Sequence, residues 1–247
     1  MKVLILAAGY GTRLYPLVKD TPKPLLQVAK KPLINHLMDK IAGFEDLKEV
    51  LVVTNNKFHT HFLQWAEKNK KFSAAIHIIN DGTNSPEDRL GSVGDIRFVL
   101  QNHKVSDDLL VLGGDNLFDY ELTGYIRFAQ EKKPQVTIGL YDIGDIKEAK
   151  NFGVVQIDKS GKVISFEEKP AAPKSSLIAM CSYYFPKSSL GLVEEYLQKS
   201  KRADQAGDYI RWLSEEKGVY GFKFQGKWYD IGSVESYKEA QVKFNNK

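Results

Sequence analysis

The chain has 247 residues, enough for one to two domains of about 150 residues, and folding should bury about 73% of its unfolded surface, so no disulfide or metal staple is needed for a core. Hydrophobic residues at 43%, charged at 27% and aromatic at 11% exclude a disordered or fibrous chain, and a mild net charge of +4 argues against nucleic acid as a partner. One cysteine, Cys181, excludes an intramolecular disulfide, and the longest early apolar run, Val3 to Ala8, is too short for a membrane span or a signal-peptide core, so no membrane partner and a cytoplasmic location are expected.

Lys2 to Ala8 is nearly all apolar and does not alternate, which predicts a strand buried on both faces of a parallel sheet. Gly9 to Pro24, with three prolines and two glycines, predicts a long irregular loop. Leu33, Ile34, Leu37, Met38 and Ile41 have helical spacing and precede a second buried strand, Glu49 to Thr54. Phe58, Phe62 and Trp65 mark the next helix, and Ala74 to Ile79 the next strand. The polar stretch Asn80 to Arg89 leads into a helix of about ten residues, and Asp108 to Leu112 predicts a fourth buried strand. Leu122, Tyr125, Ile126 and Ala129 form a helical stripe, and Val136 to Tyr141 closes the series. This alternation predicts a Rossmann-like α/β fold, a three-layer α/β/α arrangement on a mixed, mostly parallel sheet, with functional loops at the carboxyl ends of the strands.

The pattern changes after Tyr141. Gly153 to Ile157 and Lys162 to Phe166 flank Asp158-Lys159-Ser160-Gly161, a hairpin signal. Leu177 to Phe185 predicts a strand, followed by helices over Ser188 to Lys199 and Asp208 to Glu216, short strands around Phe222 and Trp228, and a final amphipathic helix from Val234 to Phe244. With no linker or repeat, residues 1–247 are expected to form a single domain of two halves, 1–141 and a substrate-facing 142–247.

The first strand runs directly into Gly9-Tyr10-Gly11-Thr12-Arg13, with Lys23 ten residues further on. Glycines at a strand end let a phosphate approach backbone N–H groups, because no Cβ blocks the way. Arg13 adds a rigid fork for phosphate oxygens, and Lys23 adds a point charge. The dinucleotide fingerprint fails, since Leu14 stands where a third glycine is needed and Thr54-Asn55 where an acid is needed; no P-loop pattern occurs. His59 and His61 point to different sides of a helix and build no metal motif, and Cys181 is expected to be a buried packing residue.

Ala7-Ala8-Gly9-Tyr10-Gly11-Thr12-Arg13-Leu14 with Pro22-Lys23-Pro24 resembles the signature loop of the sugar-1-phosphate nucleotidylyltransferases. Gly114-Asp115-Asn116, Glu167-Glu168-Lys169-Pro170 and Trp228-Tyr229-Asp230-Ile231-Gly232 follow in that family's order, and the whole is most similar to the short glucose-1-phosphate thymidylyltransferase type. The resemblance implies transfer of a nucleoside monophosphate from a nucleoside triphosphate, dTTP or UTP favoured, to a sugar-1-phosphate, glucose-1-phosphate favoured, with release of pyrophosphate. It implies catalytic roles for Arg13, Lys23 and Asp115, and a nucleotide site of Leu6, Ala8, Gly9, Gly11, Thr12, Arg13, Asn80, Gly82 and Gly114. It also implies a sugar-phosphate site of Asn116, Gly153, Glu168, Lys169 and Tyr183, with Mg²⁺ as cofactor on Asp115 and Asp230. The chain is expected to act as a monomer or small homo-oligomer.

The sequence departs from that pattern in places. Asn80 and a longer stretch to Arg89 replace the family's Gln and short turn where the base is read, so CTP, GTP or ATP stays open as the nucleotide. Met180-Cys181 replaces Thr-Gly, and Arg202 is a weak counterpart of a family arginine. The chain stops soon after Asp230 without the extensions of several relatives, from which simple saturation kinetics are expected. A catalytically silent nucleotide-sugar-binding subunit is the alternative reading, against which the intact Arg13, Lys23, Asp115 and Asp230 argue. A glycosyltransferase would show Asp-x-Asp where Gly114-Asp115-Asn116 stands.

Overall fold

The structure, a computed structural model, describes residues 1–200 and 206–244. It divides into two compact units. Unit 1 comprises Met1–Leu90, Leu112–Glu121 and Gly226–Lys247, and unit 2 comprises Gly91–Val111 and Leu122–Gln225. These units do not follow the expected halves 1–141 and 142–247. The strands β7 (Asn116–Phe118) and β13 (Trp228–Asp230) pair antiparallel, returning the C-terminal segment to unit 1.

Unit 1 is built on β1 (Lys2–Leu6), β4 (Glu49–Thr54) and β5 (Ala75–Asn80), paired in parallel with Leu4 opposite Leu51 and Val52 opposite Ile78. Val3, Leu4 and Ile5, and Val50 to Val53, have almost no exposed surface, as a continuous apolar run in a doubly covered parallel strand requires. The connecting helices α1 (Leu33–Ile41) and α2 (His59–Lys68) bury the stripes read from the sequence, among them Leu33, Leu37 and Ile41, and Phe62 and Trp65. The loop after β1 contains two 3₁₀ turns, Thr12–Leu14 and Lys23–Leu25, and a short antiparallel pair, β2 (Gln27–Val28) and β3 (Lys31–Pro32). Helix α7 (Val234–Phe244) buries Ala240 in a cluster with Leu14, Val18, Leu26, Val28, Leu33, Leu117 and Ile231. The Tyr237 hydroxyl and the Gln241 amide both donate to the Gln27 carbonyl, at 2.8 and 2.6 Å. The last helix thus clamps the loop that carries Arg13.

Strand β6 (Leu109–Gly113), fully buried, carries residues of both units. Unit 2 contains α3 (Gly91–Asn102), α4 (Thr123–Glu131), α5 (Leu192–Lys199) and α6 (Ala206–Glu216). Its strands are β8 (Val136–Asp142), β9 (Gly153–Ile157), β10 (Val163–Glu168), β11 (Leu177–Phe185) and β12 (Val219–Lys223). The hairpin β9–β10 turns at Asp158–Gly161 as expected, with the Asp158 carboxylate accepting from the Ser160 and Lys162 N–H groups. Val136 to Tyr141 does not simply extend the βα alternation. β8 runs antiparallel to β11 and parallel to β12. An apolar run reports burial but not strand direction, so this reversal leaves no local trace. Among the described residues no helix is long and apolar enough to cross a membrane.

Candidate active site

In unit 1 the chain leaves β1 through small residues. Ala7 continues the pairing to Val53, Asn55 Nδ2 donates to the Ala8 carbonyl at 2.8 Å, and Gly11 takes a left-handed φ of 62° that would strain a side chain. A Cβ on Gly9 would meet nothing within 4 Å, so the backbone there faces open space. A cavity of about 200 Å³ opens beside it, lined by Leu6, Gly9, Gly11, Arg13, Lys23 and Asp115.

Lys23 starts the second 3₁₀ turn between Pro22 and Pro24, and its Nζ lies 2.7 Å from Asp115 Oδ2. Asp115 comes this close to β1 because Gly114 precedes it: the Gly114 N–H donates to the Leu6 carbonyl at 2.9 Å, and a Cβ would stand 2.9 Å from that oxygen and 3.1 Å from Pro24 Cγ. The β7–β13 pairing sets Asp230 opposite Asn116, next to Asp115 in the chain. The Lys227 N–H donates to Asp119 Oδ1 and Trp228 Nε1 to Asn116 Oδ1, which fixes the pairing register.

The two carboxyls are driven apart electrostatically. Crowding by protein raises Asp115, but the charge and hydrogen bond of Lys23, its own backbone N–H and Arg13 outweigh that and hold it below the usual range. Desolvation raises Asp230, with Asp115 adding to the rise and Lys23 and Arg13 opposing it. Two carboxylates that repel each other beneath two cations form a donor set that fits a divalent cation, which is usually held by one or two carboxylates with phosphates and water. No group of three or more His, Cys, Asp or Glu forms a metal cluster among the described residues, so the pair would need substrate oxygens to complete a shell.

Asn80 and Gly82 stand at the carboxyl end of β5. Asn80 Oδ1 accepts from the Gly82 N–H, and its amide donates to Asn56, which donates in turn to Asn84. Tyr10, buried between the two glycines, donates to Thr83 Oγ1 at 3.2 Å, and Thr83 donates to Asp81. Thr12 and Arg13 are exposed, Leu6 lines the cavity, and Ala8 is buried.

Unit 2 gathers the remaining expected residues. Gly153 opens β9 opposite Glu168 in β10, and a Cβ on it would stand 2.6 Å from Phe166 Cζ and 3.1 Å from Glu168 Oε2. Desolvation raises Glu168, Asp208 adds to the rise, and Lys169 and Arg211 oppose it. Lys169 lies in the left-handed region at φ 46°, a conformation unfavourable for a lysine, and its Nζ is 3.7 Å from Glu168 Oε1. Tyr183 is buried, and desolvation, with Cys181 and Glu168 nearby, pushes its phenol well up. Cys181 is half-buried, not the fully buried packing residue expected, because β11 alternates there and Met180 takes the inward position. Arg202 lies outside the described residues.

A family model for nucleotidyl transferases matches residues 2–247. The chain belongs to the nucleotidyl transferase family. The "Bifunctional protein GlmU" of Methanocaldococcus jannaschii is 29% identical over 240 residues, covering 97% of this chain and 53% of the relative. The protein of the same name from Methanococcus aeolicus is 31% identical over 234 residues, covering 94% and 51%. The chain thus spans about half the length of the curated relatives it matches. In fold it superposes on a Bacillus anthracis protein assigned as a glucose-1-phosphate thymidylyltransferase, in complex with a sucrose, with a TM-score of 0.85 at 24% identity, covering 100% of this chain and 96% of that one. A UDP-glucose pyrophosphorylase complexed with UDP-glucose gives 0.78 at 22% identity, covering 98% and 97%. The Rossmann-like α/β class expected from the sequence is therefore the fold of this nucleotidyl transferase.

Within this nucleotidyl transferase, Arg13, Lys23, Asp115 and Asp230 come together in unit 1. Asn116 is placed by pairing with β13, its Oδ1 taken by Trp228. Two residues of consequence were not singled out. Tyr10 anchors the glycine loop, and the signal was a bulky aromatic where a loop between glycines would tolerate anything. The other, Gly207 on α6, carried no signal, because nothing in its neighbourhood in the sequence names the side chain it touches.

Proposed function

We propose that this chain joins a nucleoside triphosphate to a sugar-1-phosphate, forming an NDP-sugar and pyrophosphate. The observation that carries the reading is the convergence of Arg13, Lys23, Asp115 and Asp230 on unit 1, across about 115 residues of chain between the two acids. An oxygen of the sugar phosphate bonds to the α-phosphorus, the α–β P–O bond breaks, and its electron pair leaves with pyrophosphate. The second pKa of a phosphate monoester is about 6, so the nucleophile is a dianion near neutral pH and needs no general base. What the protein supplies is in-line positioning and charge neutralisation. Arg13 offers a two-pronged donor to phosphate oxygens, and Lys23, held by Asp115, offers a fixed point charge. Glycine backbone beside the cavity admits the triphosphate without steric conflict. Asp115 and Asp230 would hold Mg²⁺, which neutralises triphosphate charge when bound. Glu168 accepts sugar hydroxyls, Lys169 takes the sugar phosphate, and Gly153 and Tyr183 complete that side.

The motif match favours dTTP or UTP with glucose-1-phosphate. The Asn80–Asn56–Asn84 amide chain, in place of the family's Gln and short turn, favours testing other bases. The experiment is a matrix of nucleoside triphosphates against sugar-1-phosphates, read by pyrophosphate release and by product mass. An NDP-sugar supports the reading. No pyrophosphate from any pair, or a glycoside as product, overturns it.

A further inference from the structure

We propose that Gly207 is a positioning residue for sugar-1-phosphate recognition, supplying the space in which the Glu168 carboxylate sits. The proposal rests on the reading that Glu168 accepts sugar hydroxyls. Glu168 is the last residue of β10, against which α6 packs. A Cβ on Gly207 would stand 1.9 Å from Glu168 Oε2, 2.5 Å from its Cδ and 3.2 Å from Oε1. The entire carboxylate therefore rests on the bare backbone of the first turn of α6. The missing Cβ of Gly153 would be 3.1 Å from the same Oε2. Two glycines from two elements thus border one carboxylate.

Backbone conformation does not demand glycine at 207. Its φ lies outside the left-handed region, and in a helix alanine is the better former. The requirement is room. The atoms in the way are the end of a flexible side chain, so a Cβ at 207 displaces the carboxylate by a rotamer change and leaves α6 in place. The charged and titratable groups that face this carboxylate are Lys169 just past the end of its strand, Asp208 and Arg211 on α6, and Tyr183 on β11. Displacement from that pocket exposes Glu168 to water and relieves the desolvation that raises it.

The test compares the wild type with Gly207→Ala, Glu168→Ala and the double variant. Gly207→Ala should raise KM for the sugar-1-phosphate roughly tenfold, the scale of one charge-assisted hydrogen bond, while KM for the nucleoside triphosphate stays unchanged. The Glu168 carboxyl, followed by ¹³C NMR without substrate, should titrate closer to the ordinary glutamate range in Gly207→Ala. Once Glu168 is alanine, adding Gly207→Ala should cost no further activity and should raise Tm. An unshifted carboxyl titration with unchanged sugar-phosphate KM overturns the proposal, as does a Gly207→Ala penalty of the same size with and without Glu168. Failure of the wild type to use any sugar-1-phosphate overturns the functional reading instead. If Gly207→Ala alone does not fold, recovery of folding in the double variant supports the collision and its absence overturns it.

Discussion

The two units hold the same functional group in opposite electrostatic settings. In unit 1 Asp115 is kept ionised by Lys23 and Arg13, although the protein crowds it. In unit 2 Glu168 is crowded too, but its cations are weaker, Asp208 adds a like charge, and its carboxyl rises. Glycines make both placements possible: Gly114 beside β1, and Gly153 and Gly207 around Glu168. The difference teaches that glycine fixes where a carboxylate stands, whereas a close ion pair, 2.7 Å from Lys23 to Asp115 against 3.7 Å from Lys169 to Glu168, decides the direction in which its titration moves.

The strongest test of that contrast removes a cation from unit 1. Arg13→Ala should lose roughly 10² to 10³ in kcat, the scale of one lost transition-state donor. Arg13→Lys should recover only part of it, because a point charge cannot reproduce a two-pronged fork. Equal turnover in Arg13→Ala and wild type would remove Arg13 from the chemistry. Next in size are the acids. Asp115→Asn and Asp230→Asn should each lose most turnover while folding normally, with partial recovery at raised Mg²⁺ or Mn²⁺. The double variant should lose less than the product of the single losses, since both acids act on one charge centre. Strict multiplicativity would separate their roles.

Much of unit 1 was legible in the sequence because its strands are buried on both faces and its loops carry glycine, proline and paired charges at fixed offsets. β1, β4 and β5 and their helices fall where apolar runs and helical stripes placed them. What stayed hidden was pairing. Asn116–Phe118 and Trp228–Asp230 are three residues each, too short for a periodic signal, yet their register puts Asp230 beside Asp115. In unit 2 the strand limits of Leu177–Phe185 were readable, but the direction of β8 was not. The Glu168–Gly207 contact was also hidden, since it depends on α6 packing against β10 and on no local pattern. Motif resemblance pointed to the candidate groups, and only the fold showed what holds them.

A third prediction tests recognition in unit 2. Glu168→Gln keeps the shape but removes the acceptor charge, and should raise KM for the sugar-1-phosphate roughly tenfold with a smaller change in kcat. A loss confined to kcat would place Glu168 at the reacting atoms and erase the distinction between the two carboxylates.

The smallest expected effect asks whether the contrast belongs to the units or to local partners. Asp108, also in unit 2, is mostly buried and accepts from Lys133 Nζ at 2.5 Å, the Tyr184 hydroxyl at 2.7 Å and the Lys187 N–H at 2.9 Å. Desolvation pushes it up, but Lys133, Lys187 and Tyr184 together bring it below the ordinary value. A carboxyl depressed on folding contributes stability above its unfolded pKa of about 3.9 and loses that contribution as pH falls through the folded value. Asp108→Asn should therefore destabilise unit 2 by about 1–3 kcal/mol at pH 7, the cost of weakening a partly buried charged hydrogen-bond set. The gap between variant and wild type should narrow below pH 4. Urea unfolding followed by fluorescence of Trp212 on α6, against Trp65 and Trp228 in unit 1, reads the effect in the right place. A gap that stays constant from pH 7 to pH 3 would show that Asp108 acts through shape alone, and that the sign of a carboxyl shift in unit 2 does not follow its partners.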